Sequence, residues 1–132
     1  NKLPKNAKLL AGLPKEDYDN LLKSCDIGLI FLNKNFTIPN FPSRLLSYLE
    51  MKMPIIAATD KATDIGKVIE QNNCGKWVFS GDNFQMDKAI DDMLNCNENE
   101  FQLKRENAFK LLTNEYLVEK SYNLIVNKIK NV

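Results

Sequence analysis

The chain contains no histidine. That removes the commonest general base and the commonest metal ligand. Any acid–base chemistry it performs alone would rest on Asp, Glu, Lys, Tyr or Ser. Cysteine is scarce as well. Cys25, Cys74 and Cys96 are odd in number, far apart, and form no C-x-x-C pair. Free thiols in a reducing compartment are expected rather than a disulfide framework. Neither sign of charge dominates, with 18 basic and 17 acidic side chains and a net charge of +1. This balance argues against nucleic acid and against a strongly charged partner. No apolar run approaches the roughly 20 residues that span a bilayer, and no signal peptide is visible. Repeats and low-complexity tracts are missing too.

What is present fits one domain with one core over residues 1–132. The opening Asn1-Lys2-Leu3-Pro4 lacks an initiating Met and reads as the middle of a longer chain. A fragment is therefore expected.

Strand and helix patterns alternate. Lys8 to Ala11 reads as a short strand ending at Gly12. A helix follows from Lys15 to Ser24, with Tyr18, Leu21, Leu22 and Cys25 on one stripe. Ile27 to Leu32 is apolar without alternation, the pattern of a strand buried on both faces of a parallel sheet. Ser43 to Met53 reads as a helix burying Leu45, Leu46 and Leu49, and Pro54 to Ala58 as a short buried strand. Thr63 or Asp64 should cap a helix carrying Ile65, Val68 and Ile69, with Gly75 as its C-terminal stop. Lys76 to Phe79 reads as an edge strand, with Trp77 half-buried on it. Everything after Gly81-Asp82-Asn83 is helical. Three apolar stripes follow: Met86, Ile90, Met93 and Leu94; Ala108, Leu111 and Leu112; Tyr122, Ile125, Val126 and Ile129. The implied fold class is α/β, a Rossmann-like parallel sheet of about four strands flanked by helices.

The loop and helix after Leu32 are the most informative stretch. Open α/β sheets bind ligand in the crevice beyond the carboxyl ends of their strands. There this chain has Asn40-Phe41-Pro42-Ser43-Arg44. A hydroxyl, a fixed cation and free backbone N–H groups suit a phosphate or diphosphate. Phe36 and Phe41 would pin the loop to the core. Asp60 and Asp64 read as turn and cap residues, and Lys120, Lys128 and Lys130 as solvated positions on a terminal helix.

Three stretches together resemble the C-terminal, donor-binding domain of the group-1 (family-4, B-type fold) glycosyltransferases. They are Leu9-Leu10-Ala11-Gly12-Leu13-Pro14 with Cys25-Asp26 behind it; Pro39 to Leu49 followed by Pro54-Ile55-Ile56-Ala57; and Thr63-Asp64-Ile65-Gly66-Lys67-Val68-Ile69-Glu70 with Gly75. The resemblance covers nearly the whole chain in order. It implies part of a two-domain enzyme that moves a sugar from a UDP- or GDP-linked donor to an acceptor in polysaccharide or capsule assembly. In that reading Gly12 and Leu13 lie beside the base. Asn40, Phe41, Pro42, Ser43 and Arg44 surround the diphosphate. Ser47 stands where the family has its ribose-binding Glu, and Pro39 where it has the first Glu of that motif. Pro42-Ser43-Arg44 is similar to the P-S-K/R variant of the family's loop.

The resemblance further implies no metal or other cofactor. It implies an N-terminal acceptor domain outside this chain, a cytoplasmic location at the inner face of the membrane, and peripheral membrane contact through the acceptor. The catalytic residues are unassigned, and the chain alone is expected to be inactive. Two rival classes stand beside this one. A degenerate, non-catalytic glycosyltransferase-like subunit would explain Ser47 and Pro39. A flavodoxin-like or receiver-like module would need, for a receiver, an acidic cluster at the strand ends. Asp26 precedes its strand and Asp60 stands alone, so that cluster is missing.

In the resembled fold, strands from earlier sequence separate Lys8–Ala11 from Ile27–Leu32. Without them the Ile27–Leu32 edge is uncovered. Dimerisation, or a rearrangement of residues 1–25, is therefore expected.

Overall fold

The computed structural model describes residues 3–36, 38 and 40–130. In chain order the elements are α1 (Lys15–Lys23), β1 (Gly28–Phe31), α2 (Arg44–Glu50), β2 (Ile55–Thr59), α3 (Ile65–Gln71), β3 (Gly75–Phe79), α4 (Asn83–Leu94), α5 (Glu98–Glu115) and α6 (Val118–Lys130). The sheet is parallel, ordered β1-β2-β3. Gly28 stands opposite Ile55, and Ile55 opposite Gly75. Helices cover both faces, an α/β architecture compatible with a Rossmann-like fold.

The central strand sits at the middle of the core. Pro54 through Asp60 are all buried. On one face Ile30, Ile55 and Ala57 pack with Leu45 and Leu49 of α2, Ile65 and Ile69 of α3, and Ala108 and Leu111 of α5. On the other, Ile56, Ala58 and Val78 pack with Ala89 and Met93 of α4. Each fully buried Leu or Ile contributes about 1.5–3 kcal/mol. The strand's β-branched Ile pair suits this two-sided burial.

Several elements differ from their sequence pattern. Lys8 to Ala11 forms no strand, and its side chains are exposed. The sheet therefore has three strands rather than four. A strand needs a partner ladder, and among the described residues no strand lies beyond β1 for these residues to join. β1 itself is buried only on alternate residues, with Leu29 41% and Phe31 55% exposed. The face they share is covered by α4 over β2 and β3 but not over β1. The helix expected to reach Met53 ends at Glu50, because Lys52 takes a left-handed φ of 54° and turns the chain into β2. Leu46 is exposed, since the α2 face toward the core belongs to Leu45 and Leu49.

Gly75 does not stop α3. It is the buried first residue of β3, and the left-handed turn belongs to Asn73, at φ 48°. Asn is the side chain that tolerates this region best after glycine. Neither Thr63 nor Asp64 caps α3 in the ordinary way. Asp64 accepts no capping hydrogen bond, and the Thr63 hydroxyl donates to Asp60 instead. The third apolar stripe forms on α6 as expected, yet α6 buries no residue. All three cysteines are free. Among the described residues no helix is long and apolar enough to cross a membrane.

Candidate functional site

The carboxyl ends of the three strands open onto three loops. Beyond β1 the chain runs through residues 32–43. Asn33 starts a tight turn, its side-chain oxygen accepting from the Asn35 N–H and its carbonyl from the Phe36 N–H. Phe36 is partly exposed. Phe41 does pin the loop: its ring lies 5.6 Å from that of Tyr116 at the end of α5. Pro42 is buried behind it, and its carbonyl accepts from the Leu45 N–H. Pro39 lies outside the described residues.

Anchored this way, Asn40, Ser43 and Arg44 are exposed. Ser43 has a helical backbone, and its hydroxyl makes no capping bond. Among the described residues no carboxylate forms an ion pair with Arg44. Its guanidinium faces Tyr48. Burial and the nearby Tyr18 raise the Tyr48 hydroxyl above its ordinary pKa, and Arg44 pulls against them. Ser47 is half-buried, one turn along the same side of α2 as Ser43. The structure thus joins Asn40, Phe41, Pro42, Ser43, Arg44 and Ser47 on one loop and helix. Gly12 and Leu13 stand apart in the exposed segment before α1. Gly12 has open space around it, with nothing within 4 Å of where a side chain would start. α2 has only seven residues. An anion here would therefore be held mainly by side-chain charge and hydroxyl, not by a long helix dipole.

Beyond β2 the chain builds a second polar arrangement. Asp60 is buried, and its Oδ1 accepts from the Ala62 N–H at 2.7 Å and the Thr63 N–H at 2.9 Å. Its Oδ2 accepts from the Thr63 hydroxyl at 3.0 Å. Burial alone would raise this carboxyl, but the three donors outweigh it and hold the pKa below 3.8. Beside it the Thr59 hydroxyl accepts from Trp77 Nε1 at 2.8 Å and donates to the Asp60 carbonyl. The hollow there, about 220 Å³, is lined by Asp60, Lys61, Thr63, Lys67, Glu70 and Trp77. A larger cleft of about 480 Å³ lies at the opposite end of β3, between Asn73, Lys76, Asp92, Cys96, Glu100 and Lys104. None of the site residues inferred from sequence lines either hollow.

Sequence reasoning missed two participants. Tyr48 lies flat against Gly28, and its hydroxyl donates to the Leu29 carbonyl at 3.2 Å. The signal was Gly28 inside a strand, which marks a close approach. The Thr59–Trp77 bond joins residues 18 apart, and no local pattern encodes it. Comparison with protein families, curated proteins and solved structures finds no match to this chain.

Proposed function

We propose that this chain supplies part of the donor site of a nucleotide-sugar glycosyltransferase of the B-type fold, acting in polysaccharide or glycan assembly. The observation that carries the reading is the Ser43–Arg44 pair. Both are exposed at the carboxyl end of β1, where open parallel sheets take ligand. Among the described residues, the Ser43 hydroxyl makes no capping hydrogen bond and Arg44 has no carboxylate partner. The diphosphate lies against Asn40–Arg44, with Ser47 toward the ribose and Gly12 and Leu13 toward the base. The acceptor comes from a separate N-terminal domain at the inner face of the membrane, in the cytoplasm. Catalysis in the intact enzyme comes from holding donor and acceptor together while Arg44 neutralises the leaving diphosphate. No metal is required for that role. The present chain alone turns nothing over.

Calorimetric titration with UDP, GDP and their sugars tests this. Binding of one nucleotide series is expected. Arg44→Ala should weaken it roughly ten-fold or more, the cost of a lost charge-assisted hydrogen bond, and Ser43→Ala less. Absence of binding by the folded chain, or unchanged affinity in Arg44→Ala, would overturn the reading.

A second reading, a degenerate non-catalytic subunit, is favoured by one feature. Half-buried Ser47, not a carboxylate, stands on α2 where a ribose-binding Glu would. Ser47→Glu separates the two. A change in donor affinity supports the enzyme reading, and no change supports the scaffold.

A further inference from the structure

We infer that the hollow between the Asp60–Thr63 turn, α3 and β3 binds a small ligand made of one ring carrying one anionic group, a carboxylate or a phosphate. The inference stands independently of the donor-site reading, since Asn40, Ser43, Arg44 and Ser47 do not line this hollow. About 220 Å³ is available between Asp60, Lys61, Thr63, Lys67, Glu70 and Trp77. Pockets that take drug-sized ligands run to roughly 300–1,000 Å³. A single ring with a charged substituent is the size that fits, and a nucleotide is too large.

The walls are fixed by bonds inside the protein. The Asp60 carboxylate holds the Ala62 and Thr63 N–H groups and the Thr63 hydroxyl, which closes the turn that carries Lys61. The Trp77 indole donates to the Thr59 hydroxyl at 2.8 Å. Gly66 makes room for that indole, since a side chain on residue 66 would begin 2.5 Å from its pyrrole ring. Walls set before binding spare the complex the cost of ordering them. Trp77 is half-buried and lines the hollow, so the ring of a ligand finds a broad apolar surface to pack against.

Charge sets the substituent. Both carboxylates in the lining already accept from protein donors: Asp60 from the turn, and Glu70 Oε1 from the Trp77 N–H at 3.2 Å. The two lysines are not committed in the same way. Among the described residues Lys61 forms no ion pair, and its ammonium lies 5.3 Å over the Phe79 ring. Lys67 pairs with Asp64 at 3.7 Å, with the two side chains 77% and 78% exposed, and so open a pair contributes little. The uncommitted charge is therefore positive. It selects an anion, through charge-assisted hydrogen bonds from one or both ammonium groups.

Trp77 is the single tryptophan of the chain and stands in the wall, so its fluorescence reports on this hollow. Benzoate and glucose 6-phosphate are titrated separately, with calorimetry in parallel. Benzyl alcohol, glucose and inorganic phosphate are the controls. Saturable binding of one ring anion is expected, with a change in Trp77 emission and at least about ten-fold weaker binding of all three controls. Which ring anion binds separates an aromatic carboxylate from a sugar phosphate. Lys61→Gln, on an exposed side chain, should keep the parent's melting temperature and weaken binding roughly ten-fold, the loss of one charge-assisted contact. Lys61→Arg should retain binding, and Arg44→Ala should leave it unchanged. No binding of either ring anion overturns the inference. So does equal binding of the controls, binding that leaves Trp77 emission untouched, or binding indifferent to Lys61→Gln. Binding lost in Arg44→Ala also overturns it, by placing the anion at α2.

Discussion

Gly75 and Ile55 face each other across the β2–β3 ladder, and the Ile55 carbonyl oxygen stands 2.0 Å from where a side chain on residue 75 would begin. The neighbour is backbone of the central strand, so it cannot swing aside. Gly75→Ala is expected to destabilise the fold by at least about 3 kcal/mol, at the upper end for overpacking. Gly66→Ala meets the Trp77 ring at 2.5 Å and should cost about 1–3 kcal/mol. Gly12→Ala has open space and should lie within about 0.5 kcal/mol of the parent. Urea denaturation of the three variants checks the order.

Asp60 gives the fold an acid limit. Its folded pKa is held below 3.8 by Thr63 and the Ala62 and Thr63 N–H groups, against the opposing effect of burial. The unfolded chain therefore takes up the proton first as pH falls. The stabilisation is complete above about pH 4 and is lost as pH drops through the folded value. Asp60→Asn should lower the melting temperature at pH 7 and flatten its dependence below pH 4. Thermal melts from pH 7 to pH 2.5 would show it, and equal slopes for both proteins would count against it.

Cys74 should be the inert thiol. Burial beneath α5 raises it from 9.0 to about 11, and its Sγ donates to the Ile69 carbonyl. Cys25 and Cys96 are partly exposed. Native alkylation at pH 8 is expected to modify Cys25 and Cys96 and spare Cys74, with all three reacting in urea. Because the folded thiol keeps its proton longer than the unfolded one, it also contributes stability that is lost as pH rises above about 9. Mass spectrometry after a timed pulse decides the first point and melts in alkaline buffer the second.

Core and terminal helix should respond oppositely to truncation. Leu49 and Ile69 are fully buried, and Leu49→Ala or Ile69→Ala should cost about 2–5 kcal/mol. Ile125 and Ile129 on α6 are more than 60% exposed, and Ile125→Ser should change stability by no more than about 0.5 kcal/mol. A large loss at Ile125 in chemical denaturation would mean that α6 is packed in solution.

The amino-acid order alone determined the alternation of elements, the parallel arrangement, the burial of residues 54–58 and the edge position and half-burial of Trp77. Those features follow from local apolar periodicity, which marks which side of an element must leave water. Local chemistry also determined that Asn40–Arg44 follows β1 as a loop opening a helix. Tertiary structure decided the rest. Lys8–Ala11 has strand composition but no ladder to join, because hydrogen bonding in a sheet is supplied by a neighbour and not by the segment itself. Leu29 and Phe31 were written as core residues, and became surface because no helix among the described residues covers that part of the sheet. Gly75 looked like a helix stop, and only its position opposite Ile55 shows why a side chain is excluded. Asp60 was legible as a turn residue, because its donors, Ala62 and Thr63, are only two and three residues away; its burial at the end of β2 was not. Phe41, legible as a loop residue, gained its partner from Tyr116, a residue 75 positions away in the sequence. Periodicity reports what must be buried, whereas the identity of the covering surface is a long-range fact.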